Sequence, residues 1–155
     1  MRNDEQPVLV IGATGFVGGR VVSALRRDGR RVRCIVRTPA RAHGLAGDGV
    51  EVVQGDMLDA ALVTRAAAGV AAVVVCVHTI SPQPADAAGS GFMDVEAAGL
   101  RNVAAACTDQ GVRRVLYVTS IGVAEQGAST WLAAGGRPSR RCSPADWMRR
   151  CCGPA

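Results

Sequence analysis

Three glycines spaced three apart, Gly12, Gly15 and Gly18, separate the apolar run Val8-Leu9-Val10-Ile11 from a stretch with helical spacing that reaches Arg27. A glycine cluster that closes a buried strand and opens a helix is suited to holding the phosphates of a dinucleotide. Gly12 lets the chain turn sharply off the strand, and Gly15 lets the main chain approach a pyrophosphate. Gly18 lets the helix pack close to the sheet, and the helix N-terminus then offers free N–H groups to the phosphates. A glycine-rich strand-to-helix turn without a ligand is the plain alternative, and the flanking strand and helix favour the nucleotide.

Further candidates follow along the chain. Arg37 comes directly after the apolar run Val32–Val36, 25 residues past Gly12. An acid at this place holds the ribose hydroxyls of NAD, whereas an arginine accommodates the 2′-phosphate of NADP. Arg37, with Arg41 as a second contact, therefore favours NADP(H) over NAD(H); the bland reading is a solvated loop arginine. Asp56 follows the run Val50–Val53 and is placed to accept a bond from the adenine amino group, or to serve only as a turn residue. Asp59 reads as a helix cap. Val77 and His78 leave the run Ala71–Val77 and are expected beside the ribose or nicotinamide end. The proline-rich loop 80–90 follows, and loops at this end of a parallel sheet face the ligand.

The elements that must position these residues alternate. Strands are predicted at Val8–Ile11, Val32–Val36, Val50–Val53, Ala71–Val77 and Val112–Thr119. Helices are predicted from the glycine turn to Arg27, at Asp59–Ala68 and at Phe92–Gln110, the last stopped by Gly111. On that last helix Val95, Ala98, Leu100, Val103 and Ala106 fall roughly on one face. Strands alternating with helices predict an α/β fold, a Rossmann-type doubly wound parallel sheet of about five strands, incomplete at the C-terminal end.

Composition narrows the function classes. The 155 residues suit one domain. The net charge is +5, but residues 1–126 carry 13 arginines against 12 acids, and residues 127–155 carry five against one. A nucleic-acid surface needs a basic face on the folded part, so no nucleic-acid partner is expected. No apolar run reaches the roughly 18–20 residues of a membrane span and no signal-peptide core follows Met1; a cytoplasmic protein with no membrane partner is expected. Cys34, Cys76 and Cys107 fall inside predicted strands and a helix, as small buried hydrophobes. Cys142, Cys151 and Cys152 match no zinc spacing, and His43 and His78 are isolated, so neither a metal nor a disulfide is expected.

Several of these positions agree in order with one family. Gly12-Ala13-Thr14-Gly15-Phe16-Val17-Gly18, Val36-Arg37, Gly55-Asp56 and Gly111-Val112-Arg113-Arg114-Val115-Leu116-Tyr117-Val118-Thr119-Ser120-Ile121-Gly122 resemble the atypical or extended short-chain dehydrogenases/reductases, nearest to the NmrA-like NAD(P)-binding proteins. The likeness covers about residues 7–123. It implies a Rossmann fold with an NAD(P)(H) cofactor whose pyrophosphate meets Gly12, Thr14, Gly15, Phe16, Val17 and Gly18. It further implies Arg37 on the 2′-phosphate, Asp56 on the adenine, and Ser120 as the serine that holds a substrate carbonyl. Carbonyl-reducing relatives add a Tyr-x-x-x-Lys pair, in which the lysine lowers the tyrosine pKa. The pair is absent here: the chain has no lysine, and Tyr117 is its single tyrosine. The expected function is an NADP(H)-dependent oxidoreductase-family protein. The alternatives are a non-catalytic NADP(H)-sensing or assembly module and a non-functional gene fragment.

From about Gly127 the pattern breaks. Residues 127–155 read as an irregular tail, disordered or translated out of frame. Shifted by one nucleotide, residues 146–154 allow Leu-Asp-Ala-Thr-Leu-Leu-Arg-Pro, which resembles the family's next strand.

Overall fold

Strand order follows from which apolar runs carry no polar face. Val8-Leu9-Val10-Ile11 is buried at every position, so this strand needs neighbours on both edges and cover on both faces. The computed structural model, which describes residues 6–42, 44–45, 47–77 and 92–118, puts it at the centre. β1 (Val8–Ile11), β2 (Val32–Val36), β3 (Val50–Gln54), β4 (Ala72–Val75) and β5 (Val115–Tyr117) form one sheet in the order β3-β2-β1-β4-β5. Every pairing is parallel. Helices α1 (Phe16–Arg27), α2 (Ala60–Ala67) and α3 (Phe92–Asp109) and a 3-10 turn at Pro39–Ala42 connect them. The expected α/β Rossmann-type sheet of five parallel strands is the observed fold.

Alternating side chains feed two cores. Leu9, Ile11, Ile35, Val73 and Val75 pack on the face that carries α2 and α3, with Val63, Leu100 and Val103. Val8, Val10, Val32, Cys34 and Val36 pack on the opposite face, against Val22 of α1. Cys34 and Cys107 are buried in these cores as expected, and burial pushes both thiols up to about 11. Cys76 lies just beyond β4 rather than inside it, and burial raises its thiol as well.

Two strands are shorter than predicted. β4 spans four residues, not seven, because its partner β1 spans four: Val8 pairs Ala72 and Ile11 pairs Val75, and then Gly12 turns away. β5 is in turn limited to Val73–Val75 of β4. Val112, expected in that strand, instead closes α3: its N–H donates to the Cys107 carbonyl at 2.8 Å and its side chain is buried. Gly111, the expected stop, makes this possible with φ of +67°.

Two polar side chains secure the frame. Asp59 caps α2, accepting the Leu62 N–H at 3.0 Å. Arg33 of β2 donates through Nε to Glu51 Oε2 of β3 at 2.8 Å, and through Nη1 to the Ala66 and Ala68 carbonyls at 2.8 and 2.9 Å. Among the described residues no helix is long and apolar enough to cross a membrane.

Candidate functional site

Parallel strands send all their C-terminal ends to one edge, and most of the sequence-selected residues collect there. Gly12 follows β1, Arg37 follows β2, Asp56 lies two residues past β3, and Val77 two past β4. Chain connections leave β1 toward β2 on one side, while β4 lies on the other. The crevice between β1 and β4 is therefore the topological switch point, where open α/β sheets take their ligands.

The glycine turn is tightly packed beneath and open above. Gly12 has φ of +85°, and a Cβ added there would lie 2.9 Å from the carbonyl carbon and oxygen of Cys76 and 3.1 Å from Val77 Cγ2. Gly18 is buried, and a Cβ on it would fall 2.1 Å from the Gly12 carbonyl oxygen. The start of α1 is thereby pulled onto the end of β1. Thr14, Gly15, Phe16 and Val17 remain exposed on the outer side. Gly15 stands at the N-cap of α1 and supplies no side-chain cap, and the first turn of the helix holds no acid. Its leading N–H groups lack intrahelical partners, so this end of α1 is suited to an anion.

The flanking loops are held by their own bonds. Gly55 N–H donates to the Val36 carbonyl at 2.9 Å, tying the exits of β3 and β2. Asp56 is half-buried and one carboxylate oxygen accepts the Leu58 N–H at 3.0 Å. The turn role considered for Asp56 is thus present, and its second oxygen is not consumed by that bond. Asn102 of α3 donates through Nδ2 to the Met57 and Leu58 carbonyls, both at 3.0 Å. Met57 is buried against Gly99, where an added Cβ would meet Met57 Cε at 2.4 Å. The sequence reading missed Asn102 and Gly99. An asparagine on an otherwise apolar helix face, three residues after a glycine, was the signal in the sequence.

Residues 12–139 match the family model of NAD(P)H-binding proteins. The chain belongs to that NAD(P)H-binding family. It sits among the NmrA-like and atypical short-chain dehydrogenases/reductases, as its motifs led us to expect. Cinnamoyl-CoA reductase 1 of Oryza sativa is 37% identical over 126 residues, covering 77% of this chain and 36% of the relative. A short-chain dehydrogenase/reductase superfamily protein of Agrobacterium tumefaciens, solved with bound NAD, is 35% identical with a TM-score of 0.61, over 75% of this chain and 33% of that one. The quinone oxidoreductase QOR2 of Escherichia coli, solved with NADPH, is 29% identical with a TM-score of 0.63, over 81% and 40%. The chain thus spans less than half the length of these relatives.

Within this NAD(P)H-binding domain, Gly12, Gly15, Gly18, Thr14, Phe16 and Val17 form one continuous turn, with Val77 in contact range of Gly12. Arg37 is exposed and has a bonding partner. His78, Ser120, the loop 80–90 and residues 127–155 lie outside the described residues.

Proposed function

We propose that the chain is an NADP(H)-dependent domain of the oxidoreductase family. The observation that carries this reading is the packed Gly12–Gly18 turn at the β1/β4 switch point beneath an uncapped helix N-terminus, with an arginine rather than an acid after β2. In this reading Gly12, Thr14, Gly15, Phe16, Val17 and Gly18 surround the pyrophosphate. Arg37 meets the 2′-phosphate, Asp56 accepts the adenine amino group, and Val77 and His78 border the ribose or nicotinamide. When bound, the nicotinamide supplies hydride chemistry. The chain's own part is to orient the cofactor, with the Ser120 hydroxyl holding a carbonyl or nitrogenous substrate group.

One observation favours a second reading, a non-catalytic NADP(H)-sensing or assembly module. Tyr117 lies in β5 with its hydroxyl bonded to Glu96 Oε1, a carboxylate buried within the fold, and no lysine exists to partner a catalytic tyrosine. Calorimetric titration of the 155-residue chain with NADPH and with NADH tests the cofactor assignment. Tighter binding of NADPH supports it, and absence of binding by folded protein overturns it. Cofactor oxidation with carbonyl substrates, lowered by Ser120→Ala, separates catalysis from sensing.

A further inference from the structure

Both flanks of the β1/β4 crevice are fastened to one helix. Asn102 of α3 holds the Met57–Leu58 turn next to Asp56, on the flank of β1, β2 and β3. Six positions earlier on α3, Glu96 accepts the Tyr117 hydroxyl of β5 through Oε1, on the flank of β4 and β5. That spacing is roughly 9 Å along the helix axis at ~1.5 Å per residue. In a doubly wound sheet each half takes one mononucleotide of a dinucleotide. Asp56 belongs to the half that takes the adenosine, which leaves the half of β4 and β5 to the nicotinamide.

Stability does not account for the Glu96–Tyr117 bond. Glu96 is the charged side chain that is buried among the described residues, with 5% exposure. Taking a carboxyl out of water costs free energy that a leucine in its place would not. What the bond supplies is placement. β5 has three residues and, among the described strands, β4 as its one neighbour. Val73 N–H donates to the Arg114 carbonyl and Val118 N–H to the Val75 carbonyl, both at 2.9 Å. These bonds set the register of β5, but few bonds resist tilting of so short an edge. Tyr117 pairs with Val75, the last residue of β4, and packs on the same core cluster as Val77. Val77 in turn lies under the glycine turn, where a Cβ on Gly12 would come within 3.1 Å of its Cγ2. A hydrogen bond has a direction that apolar contacts lack. Anchored to α3, Tyr117 therefore fixes the exit of β5 relative to Val77 and the turn.

We propose that Glu96, acting through Tyr117, is a positioning residue for the nicotinamide half of the cofactor. This rests on the NADP(H) reading above. The test is calorimetric titration of the 155-residue chain with NADPH and with 2′-phospho-ADP-ribose, which lacks the nicotinamide. The variants are Tyr117→Phe, Glu96→Leu and Glu96→Gln. Tyr117→Phe and Glu96→Leu are expected to weaken NADPH binding about fivefold or more and to leave 2′-phospho-ADP-ribose within about twofold. Retained binding of the latter also verifies that the adenine half is folded. Glu96→Gln keeps an acceptor for the hydroxyl and should retain NADPH affinity. An equal loss for both ligands, unchanged NADPH binding in Tyr117→Phe, or a loss in Glu96→Gln as large as in Glu96→Leu each overturns the proposal. If Glu96→Leu does not fold, Tyr117→Phe and Glu96→Gln decide. Tighter binding of NADH than of NADPH by the unaltered chain overturns only the NADP(H) reading, and the same split is then read from NADH against ADP-ribose.

Discussion

Gly12 and Cys76 touch backbone to backbone across the sheet's switch point. The Cys76 N–H donates to the carbonyl of Ile11 at 2.8 Å, and any Cβ on Gly12 would press to 2.9 Å from the Cys76 carbonyl. The mouth of the β1/β4 crevice is therefore built on a residue that tolerates no side chain.

Gly12→Ala tests that contact against a matched control. Gly29 has φ of +71° and nothing within 4 Å of an added Cβ, whereas Gly12 combines φ of +85° with the clash. Gly29→Ala is expected to cost about 1 kcal/mol, the conformational term alone. Gly12→Ala is expected to cost about 2 kcal/mol or more, because backbone must shift as well. Urea unfolding of both variants measures the difference, and equal losses would refute the packing account.

Arg37→Ala is expected to weaken NADPH binding roughly 10- to 100-fold, the range of a lost charge-assisted bond. NADH carries no 2′-phosphate, so its affinity should change little. A parallel loss for both cofactors would assign Arg37 a structural role instead.

Asn102→Ala removes both donors that hold the Met57–Leu58 turn. Stability is expected to fall by about 1–3 kcal/mol as carbonyls lose their partners. The half-buried Asp56 next to that turn would lose its placement, so binding of ADP-ribose should weaken as well. Thermal melts with and without ADP-ribose check both effects. If Asn102→Ala destabilises the protein and leaves ADP-ribose affinity intact, Asp56 is not held through this tether.

Alkaline pH offers a fourth test, because the chain has no lysine to titrate. Cys34 and Cys107 stand at about 11 in the fold against 9.0 outside it. Their neutral thiols favour the fold fully below pH 9, and that contribution is lost as pH rises toward 11. The melting temperature should decline across this window. Iodoacetamide at pH 8 should spare Cys34 and Cys107, since thiolate is the reactive form; rapid labelling of either would show that its burial is not maintained.

Much of the fold was legible because local and global signals agreed. The β1 run, the glycine turn and α1 announced themselves together, and the Asp59 cap was visible from its type and place. The lengths of β4 and β5 were not legible. The apolar run Ala71–Val77 promised seven residues, but strand length belongs to the pair, and β1 stops at the turn into Gly12. Val112 illustrates the same limit: a valine buried by a helix terminus looks like a valine in a strand. Asn102 was overlooked because its partners are carbonyls, which leave no mark in a sequence, and Arg33 because Glu51 and its two carbonyl partners lie on other elements of the chain.

The Arg33 guanidinium carries a consequence for how the molecule opens. It joins β2, the edge strand β3 and the exit of α2, stretches separated by up to 35 positions along the chain. Releasing any one strands donors that serve the other two, so thermal opening of this flank should be cooperative rather than piecemeal. Amide protons of β3 and of the end of α2 would then exchange with solvent at a common rate. Those of β1, enclosed on both edges and both faces, would be among the last to exchange.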